Sequence, residues 1–428
     1  MRHSIQLAAA AAAGLSAFGA GIVHAQSLAD RVAGASDPRV QFSFAARPDV
    51  CGNGRSFIQV AGNQWYGSWS DGDRREPCVP GPVRVVLDRA GREVVSIATF
   101  AGPPGDPSTG ITDLGRVRAR DAAEYLLGLA ERAEGRVSRD AVLPAMLADS
   151  VDVSARLLAI AKNQNAARET RRTAISWLGR PLDARERAVK DVADVLVLIA
   201  KDDDDNQSVR QQALRTLARL EHGAGTAQLM ELARDSQRGW MAREALSALT
   251  SSGDPRARQY LRDVVRRAEL ADDVLAAAIK GVGGEYATGE DIKLLREIYG
   301  KLPGERSRDA ALSAVANFGG SENVRWLVTM ARDSNQPIQT RRRALQHAYR
   351  GGAPVAEIVK IYDETTDPQL KDAVMSVLVE SGEKQATDKL MLIAQRDEST
   401  QMRRKAVSVL SRSSDERVKK FLSDLVQR

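Results

Sequence analysis

The sequence predicts a mainly α fold: an α-solenoid of about nine stacked helix pairs, preceded by a small β-rich, disulfide-stapled module. Three observations lead there. A unit of Ala, then Ile, Leu or Val, with Ala, Leu or Val again at the fourth following place, recurs through the chain. It stands at Ala141, Ala174, Ala213, Ala245, Ala278, Ala311, Ala344, Ala373 and Ala406. The intervals are 33, 39, 32, 33, 33, 33, 29 and 33 residues, and a period of this size marks stacked supersecondary units. Aromatic residues make up only 4% of the chain, which suits small-residue helix packing. Residues before about 102 differ from the rest: they hold both cysteines, much glycine and proline, and alternating apolar runs. At 428 residues the chain exceeds one ordinary core, so more than one unit is expected.

Residues 1–25 read as an export signal. Arg2 and His3 give a basic start, Ile5 to Val23 form an apolar run, and Val23-His24-Ala25 fits the small-x-small cleavage rule. The mature chain then begins at Gln26, and the expected location is periplasmic or secreted. A membrane anchor is the alternative, against which the run is rich in alanine and glycine and lacks a basic stop-transfer flank. No cysteine follows Ala25 directly, so no lipid anchor is expected, and no other stretch is apolar enough to span a bilayer.

Residues 26–102 read as the β module. Val83 to Leu87 and Val94 to Ala98 flank Asp88-Arg89-Ala90-Gly91, two β-branched runs around a glycine-ended turn, which is a hairpin signature. With only Cys51 and Cys78 in an exported chain, a disulfide is expected, a reactive thiol pair being the alternative. The loop they enclose carries Trp65, Tyr66 and Trp69. These are either core of a small stapled module or a stacking surface for a ligand such as a sugar, and the residues alone leave both open. Residues 103–113, rich in proline and glycine, read as a linker, and 114–428 as the solenoid.

Within each repeat a first helix carries a stripe such as Leu196, Ile199 and Ala200, or Leu327, Met330 and Ala331. A polar turn follows, and the second helix carries the Ala-Leu unit and ends near glycine (Gly179, Gly253, Gly283, Gly319, Gly351, Gly382), expected as left-handed caps. The last segment from Glu416 reads as a capping helix. The run with Asp205, Val209, Arg210, Ala213, Leu214 and Leu217 resembles the bacterial HEAT repeat, including the short variety of bilin-lyase-like (PBS-lyase-like) proteins. The resemblance covers Leu114 to Arg428. It implies a right-handed superhelix of antiparallel helix pairs with second helices on the concave side. It implies binding of macromolecules and no particular catalysis.

Candidate chemistry is sparse. An arginine sits three residues before the repeat alanine at Arg171, Arg210, Arg308, Arg341 and Arg403, inside the apolar arc of a helical wheel. Such a ladder needs buried partners, and an Asp of the preceding turn is the partner the resemblance implies, so these arginines read as structural. Asp202 to Asn206 invites a calcium reading but lacks the loop glycine, and an acidic turn also caps the next helix. After residue 25 only His222 and His347 remain, in different repeats, too few for the di-iron hydroxylases with this fold and with no Ser/His/Asp spacing to support a triad. We therefore expect no enzyme, no metal and no cofactor.

One pattern rises above background. Opposite the apolar arc, positions −2, −1, +2 and +6 from the repeat alanines hold fourteen basic residues. They are Arg139, Arg172, Arg180, Arg215, Arg219, Arg243, Lys280, Arg342, Arg343, Arg350, Lys371, Arg404, Lys405 and Arg412. Four acidic residues share these positions, Asp140, Glu244, Asp309 and Asp372, so the face carries more positive charge than the whole chain's +6. It reads either as a partner-binding stripe or as ordinary solvated surface. The expected function is a non-enzymatic scaffold of the bacterial envelope that binds a protein with an acidic surface. An anionic polymer (nucleic acid or acidic glycan) is the alternative, nucleic acid being disfavoured by export; an enzyme acting through the N-terminal module has no residue constellation behind it.

Overall fold

A computed structural model of the chain describes residues 26–60, 64–67, 76–104, 109–179, 186–234, 239–413 and 415–426. The proposed export signal, Trp69 and Arg180 lie outside them. The chain divides into two compact units, Met1–Val151 and Asp152–Arg428.

In the first unit a short helix α1 (Leu28–Ala33) precedes eight strands. These are β1 (Arg39–Phe44), β2 (Val50–Gly52), β3 (Phe57–Val60), β4 (Gln64–Gly67), β5 (Val79–Pro80), β6 (Val83–Ala90), β7 (Glu93–Ala101) and β8 (Thr112–Arg116). They form two four-stranded sheets, ordered β7-β6-β1-β8 and β4-β3-β2-β5. Strict alternation puts Val40, Phe42 and Phe44 of β1 and Val83, Val85 and Leu87 of β6 in the core. The predicted hairpin is β6–β7, with Leu87 opposite Ile97. Cys51 on β2 and Cys78 before β5 form the expected disulfide. Trp65 and Tyr66 lie on β4 opposite Gln59 and Ile58.

Buried Arg89 shows how this unit tolerates a core cation. Its guanidinium donates to the carbonyls of Val32 at 2.6 Å, Ala33 at 3.2 Å, Ala35 at 2.7 Å and Asp37 at 2.7 Å. Val32 and Ala33 end α1, so the cation sits at the negative pole of that helix.

The boundary differs from the sequence expectation. Residues 103–113 do not end as a linker, because β8 begins at Thr112 and pairs in parallel with β1. The helices α2 (Ala119–Arg132), α3 (Gly135–Asp140) and α4 (Val142–Met146) belong to the first unit. Tyr125 of α2 meets Phe42 edge-to-face at 6.2 Å. The end of α4 is tied to the β1–β2 loop by Arg47 N–H to the Leu147 carbonyl, 3.0 Å, and Asp149 N–H to that of Ala45, 2.9 Å. Ala141 is therefore not a solenoid motif, and Arg139 and Asp140, paired with each other at 2.8 Å, leave the stripe. The reason is physical: an edge strand gains ladder hydrogen bonds rather than burial, so Thr112 to Arg116 show no alternation. Helices packed on a sheet bury the same alanines and leucines as helices packed on helices.

The second unit stacks eight helix pairs among the described residues, so the expected nine is reduced by the Ala141 motif. They are α5 (Ser154–Lys162) with α6 (Arg168–Leu178), α7 (Glu186–Lys201) with α8 (Gln207–Leu217), α9 (Thr226–Arg234) with α10 (Gly239–Leu249), and α11 (Pro255–Arg267) with α12 (Asp272–Val282). Then follow α13 (Gly289–Ile298) with α14 (Glu305–Phe318), α15 (Ser321–Arg332) with α16 (Ile338–Arg350), α17 (Val355–Glu364) with α18 (Pro368–Ser381), and α19 (Lys384–Arg396) with α20 (Thr400–Leu410). A last helix, α21 (Glu416–Val426), follows without a second helix. All eight repeat alanines of this unit are buried. Each second helix packs on the next in an unbroken file from α6 to α20, while the first helices approach one another less closely.

The glycines at second-helix ends serve two purposes, only one of them expected. Gly319 (φ 73°) and Gly382 (φ 62°) are left-handed. Gly283 is not, at φ −91°. It is needed for close approach, since a Cβ there would lie 2.2 Å from the Ala314 Cβ on the next second helix.

Candidate functional site

The ladder arginines share one partner type that sequence reasoning missed. Nε of Arg171, Arg210, Arg308 and Arg341 donates to the carbonyl of Ala161, Ala200, Leu302 and Ala331 at 3.0, 3.1, 3.2 and 3.0 Å. Arg403 donates through Nη1 to Asp397 O at 2.5 Å and Glu398 O at 3.1 Å. Each carbonyl lies at or just beyond the end of the first helix in the same pair. There it has no intrahelical donor and the helix dipole favours a cation. The expected Asp of the preceding turn is the partner for Arg210 alone, with Asp203 at 2.6 Å. Arg171 instead takes Asp205 of the following pair, and Arg341 reaches Asp333 only as a nearby charge. Asp333 is held below the usual carboxylate range chiefly by the Asn335 backbone N–H, with Gln336 and Arg341 adding to it.

The acidic turn is likewise engaged within the fold. Asp203 and Asp205 are held by arginines, and Asn206 accepts from Ser208 N–H as the N-cap of α8. Among the described residues no group of His, Cys, Asp or Glu could hold a metal ion.

The described stripe residues from α6 onward are exposed or half-buried, but their charges are not equivalent. Arg172 bonds Glu169 at 3.0 Å, Arg243 bonds Asp273 at 3.0 Å, and Arg343 bonds Glu305 at 2.9 Å. Lys371 pairs with Asp397 at 3.5 Å and rests over the Tyr362 ring, and Lys405 pairs with Asp372. These five are structural as much as available. Arg215, Arg219, Lys280, Arg350, Arg404 and Arg412 are exposed and have no ion pair among the described residues; half-buried Arg342 has only a 3.5 Å contact to Gln339.

At the middle of the file the surface sinks into a groove of about 750 Å³ shared by α10, α12 and α14. Its walls carry Ser247, Ser313 and Asn317, and its floor is Ala276, Ala277, Gly283 and Gly284. Three basic residues (Arg243, Lys280, Arg306) face three acidic ones (Glu244, Asp273, Asp309), so here the predicted positive face is nominally neutral. Asp273 and Arg306, five residues before their repeat alanines, fell outside the four wheel positions considered in the sequence. Only the packing of three helices brings them to the groove. His347 bonds Asp309 at 3.2 Å, and His222 lies apart from it in a turn with φ 54°.

The family profile described as HEAT repeats matches residues 193–283, the three pairs from α7 to α12. No curated protein matches the chain. Among solved structures, human deoxyhypusine hydroxylase in complex with glycerol is 16% identical, covering 56% of this chain and 96% of that one, with a TM-score of 0.28. A lipovitellin structure concerned with lipid–protein interactions is 12% identical over 79% of this chain and 41% of its own, TM-score 0.38. A structure on a phosphorylation switch in the interaction between cadherin and beta-catenin is 14% identical over 67% and 68%, TM-score 0.25. Scores this low carry no functional argument. Residues 193–283 thus read as HEAT repeats within a longer array of helix pairs.

Proposed function

We propose that this chain is a non-enzymatic protein-interaction scaffold of the bacterial cell envelope, which holds a protein partner with an acidic surface on its second-helix face. The observation that carries this reading is the unbroken file of second helices, with a groove at its centre and cations that have no ion pair among the described residues. We take the array as the short, bilin-lyase-like HEAT variety in a right-handed superhelix. The closer approach of second helices supports their lining its concave side. The envelope location rests on the basic start, apolar run and Ala25 site, and the Cys51–Cys78 disulfide suits an oxidising compartment. No helix among the described residues is long and apolar enough to cross a membrane. The non-enzymatic reading rests on the absence of a catalytic constellation around His222 and His347.

Two experiments test this. Sequencing the native protein should find Gln26 first; a chain retaining Met1 removes the envelope reading. Reversing Arg342, Arg350 and Arg404 to Glu changes the charge of the face without breaking an ion pair. Arg343 is left alone because Glu305 and Asp309 depend on it. Wild-type protein should retain a defined partner from envelope extract, less so as salt rises, and the triple variant should lose it while circular dichroism stays unchanged. Retention of a polyanion in place of protein favours the alternative; an unaffected partner removes the role of the face.

A further inference from the structure

The groove's nominal neutrality hides an asymmetry in which of its charges are already committed. Each of the three acidic residues has a basic side chain beside it within the fold, Arg243 serving two of them. Asp273 is bonded by Arg243 at 3.0 Å, and Glu244 lies 3.7 Å from the same guanidinium. Asp309 is held by His347 at 3.2 Å, with Arg343 at 3.9 Å. Lys280 and Arg306 are exposed and have no ion pair among the described residues. Arg306 acts electrostatically on the Asp272 carboxylate. That carboxylate is occupied in capping α14, accepting from Arg306 N–H at 3.0 Å, Ser307 N–H at 2.9 Å and Ser307 Oγ–H at 2.6 Å. Lys280 and Arg306 are therefore the charges of the groove left without an ion pair among the described residues.

We propose that the groove between α10, α12 and α14 seats an acidic segment of the partner protein on Lys280 and Arg306. This rests on the protein-binding reading above and names the place and chemistry of the contact. Three features select the occupant. Arg306 N–H bonds Asp272, which sets its backbone at that level, and Lys280 is eight residues further along α12, about 12 Å in the helix direction. Carboxylates spaced along a polypeptide match two cations on backbone sites so separated. The floor of Ala276, Ala277, Gly283 and Gly284 has almost no side chain, so a partner backbone can lie close, with Ser247, Ser313 and Asn317 beside it to hydrogen-bond. A uniform polyanion fits poorly: nucleic acid places charge every few ångströms, more than two unpaired cations can meet, whereas a peptide can place carboxylates at Lys280 and Arg306 alone.

The test uses the full chain and fluorescence anisotropy with three dye-labelled probes: a short Glu/Leu/Ala peptide, the same peptide with Gln for Glu, and a single-stranded oligothymidylate. The Glu peptide should bind and the Gln peptide should not. Lys280→Glu with Arg306→Glu, and separately the milder Lys280→Gln with Arg306→Gln, should weaken binding by about tenfold or more, because charge pairs at an interface act on both association and retention. Ala277→Trp fills the floor at unchanged charge and should weaken it comparably. Lys293→Glu with Arg325→Glu makes the same change in net charge on the first helices α13 and α15, away from the groove and the second-helix face, and should have an effect of no more than about twofold. Equal losses in both reversal pairs overturn the seat. No binding of the Glu peptide, or no loss in the groove variants, also overturns the seat. Oligothymidylate bound as tightly as the peptide overturns a protein segment as occupant. Failure of the broader reading shows separately, as envelope partner retention indifferent to the Arg342, Arg350 and Arg404 reversal.

Discussion

Arg171 of one helix pair clamps Asp205 of the next, donating two N–H···O bonds of 2.7 and 2.6 Å between side chains only 4% and 3% exposed. The bridge spans 34 residues of sequence and ties α6 to the turn before α8. Arg171→Met should strand the Asp205 carboxylate and cost about 3–5 kcal/mol, whereas Arg171→Met with Asp205→Leu should come back close to wild type. Urea unfolding measures both. Hydrogen exchange should quicken around α6 to α8 in the single variant, since each pair contacts only its neighbours.

Gly283→Ala should separate two second helices. Its new Cβ would stand 2.2 Å from that of Ala314, a backbone-anchored atom that cannot swing away. A loss of about 1–3 kcal/mol is expected, read from a melting curve. Peptide binding to the groove should fall in parallel, because α12 and α14 form its floor and one wall.

Acid should weaken the array at the start of α11. Asp254 caps that helix, accepting from Arg256 N–H, and its pKa is lowered to about 2, chiefly by the Arg256 side chain. A carboxyl depressed in the folded state below its unfolded value near 3.9 contributes stability that is complete above roughly pH 4 and is lost as pH falls toward 2. Asp254→Asn keeps a capping oxygen but removes the charge. The stability difference between wild type and this variant should be present at neutral pH and vanish over that acid window in pH-dependent urea unfolding.

Reduction should act on the first unit only. Cys51 and Cys78 are 27 residues apart, and opening a loop of that length is expected to cost roughly 3–4 kcal/mol in the chain-entropy account. Calorimetry with and without a reductant should shift the transition of the β-rich unit and leave that of the helix pairs in place.

The repeat itself was legible in the chain. The alanine period located every second helix of Asp152–Arg428, and alternation at Val83, Val85 and Leu87 located the central hairpin. Lone cysteines in a chain expected to be exported announced their pairing. These are local signals, since a side chain on a regular helix or strand repeats its environment every turn or every second residue. The positive face was legible as a pattern but not as a property. Helical position states where Arg243 and Lys280 point, and nothing in one helix tells that Arg243 is bonded to Asp273 of the next pair while Lys280 has no ion pair among the described residues.

Periodicity, burial pattern and cysteine usage were thus determined by the sequence alone. Tertiary structure decided the rest: that Ala141 belongs with the sheets, that Arg171 crosses to the following pair, that Gly283 is required by its contact with Ala314 rather than by a left-handed cap, and that a groove opens over Ala276 and Ala277. Each depends on atoms far apart in sequence meeting at distances of a few ångströms. Steric contact and charge pairing at that range act between whole elements, so they leave no mark on the local order of residues.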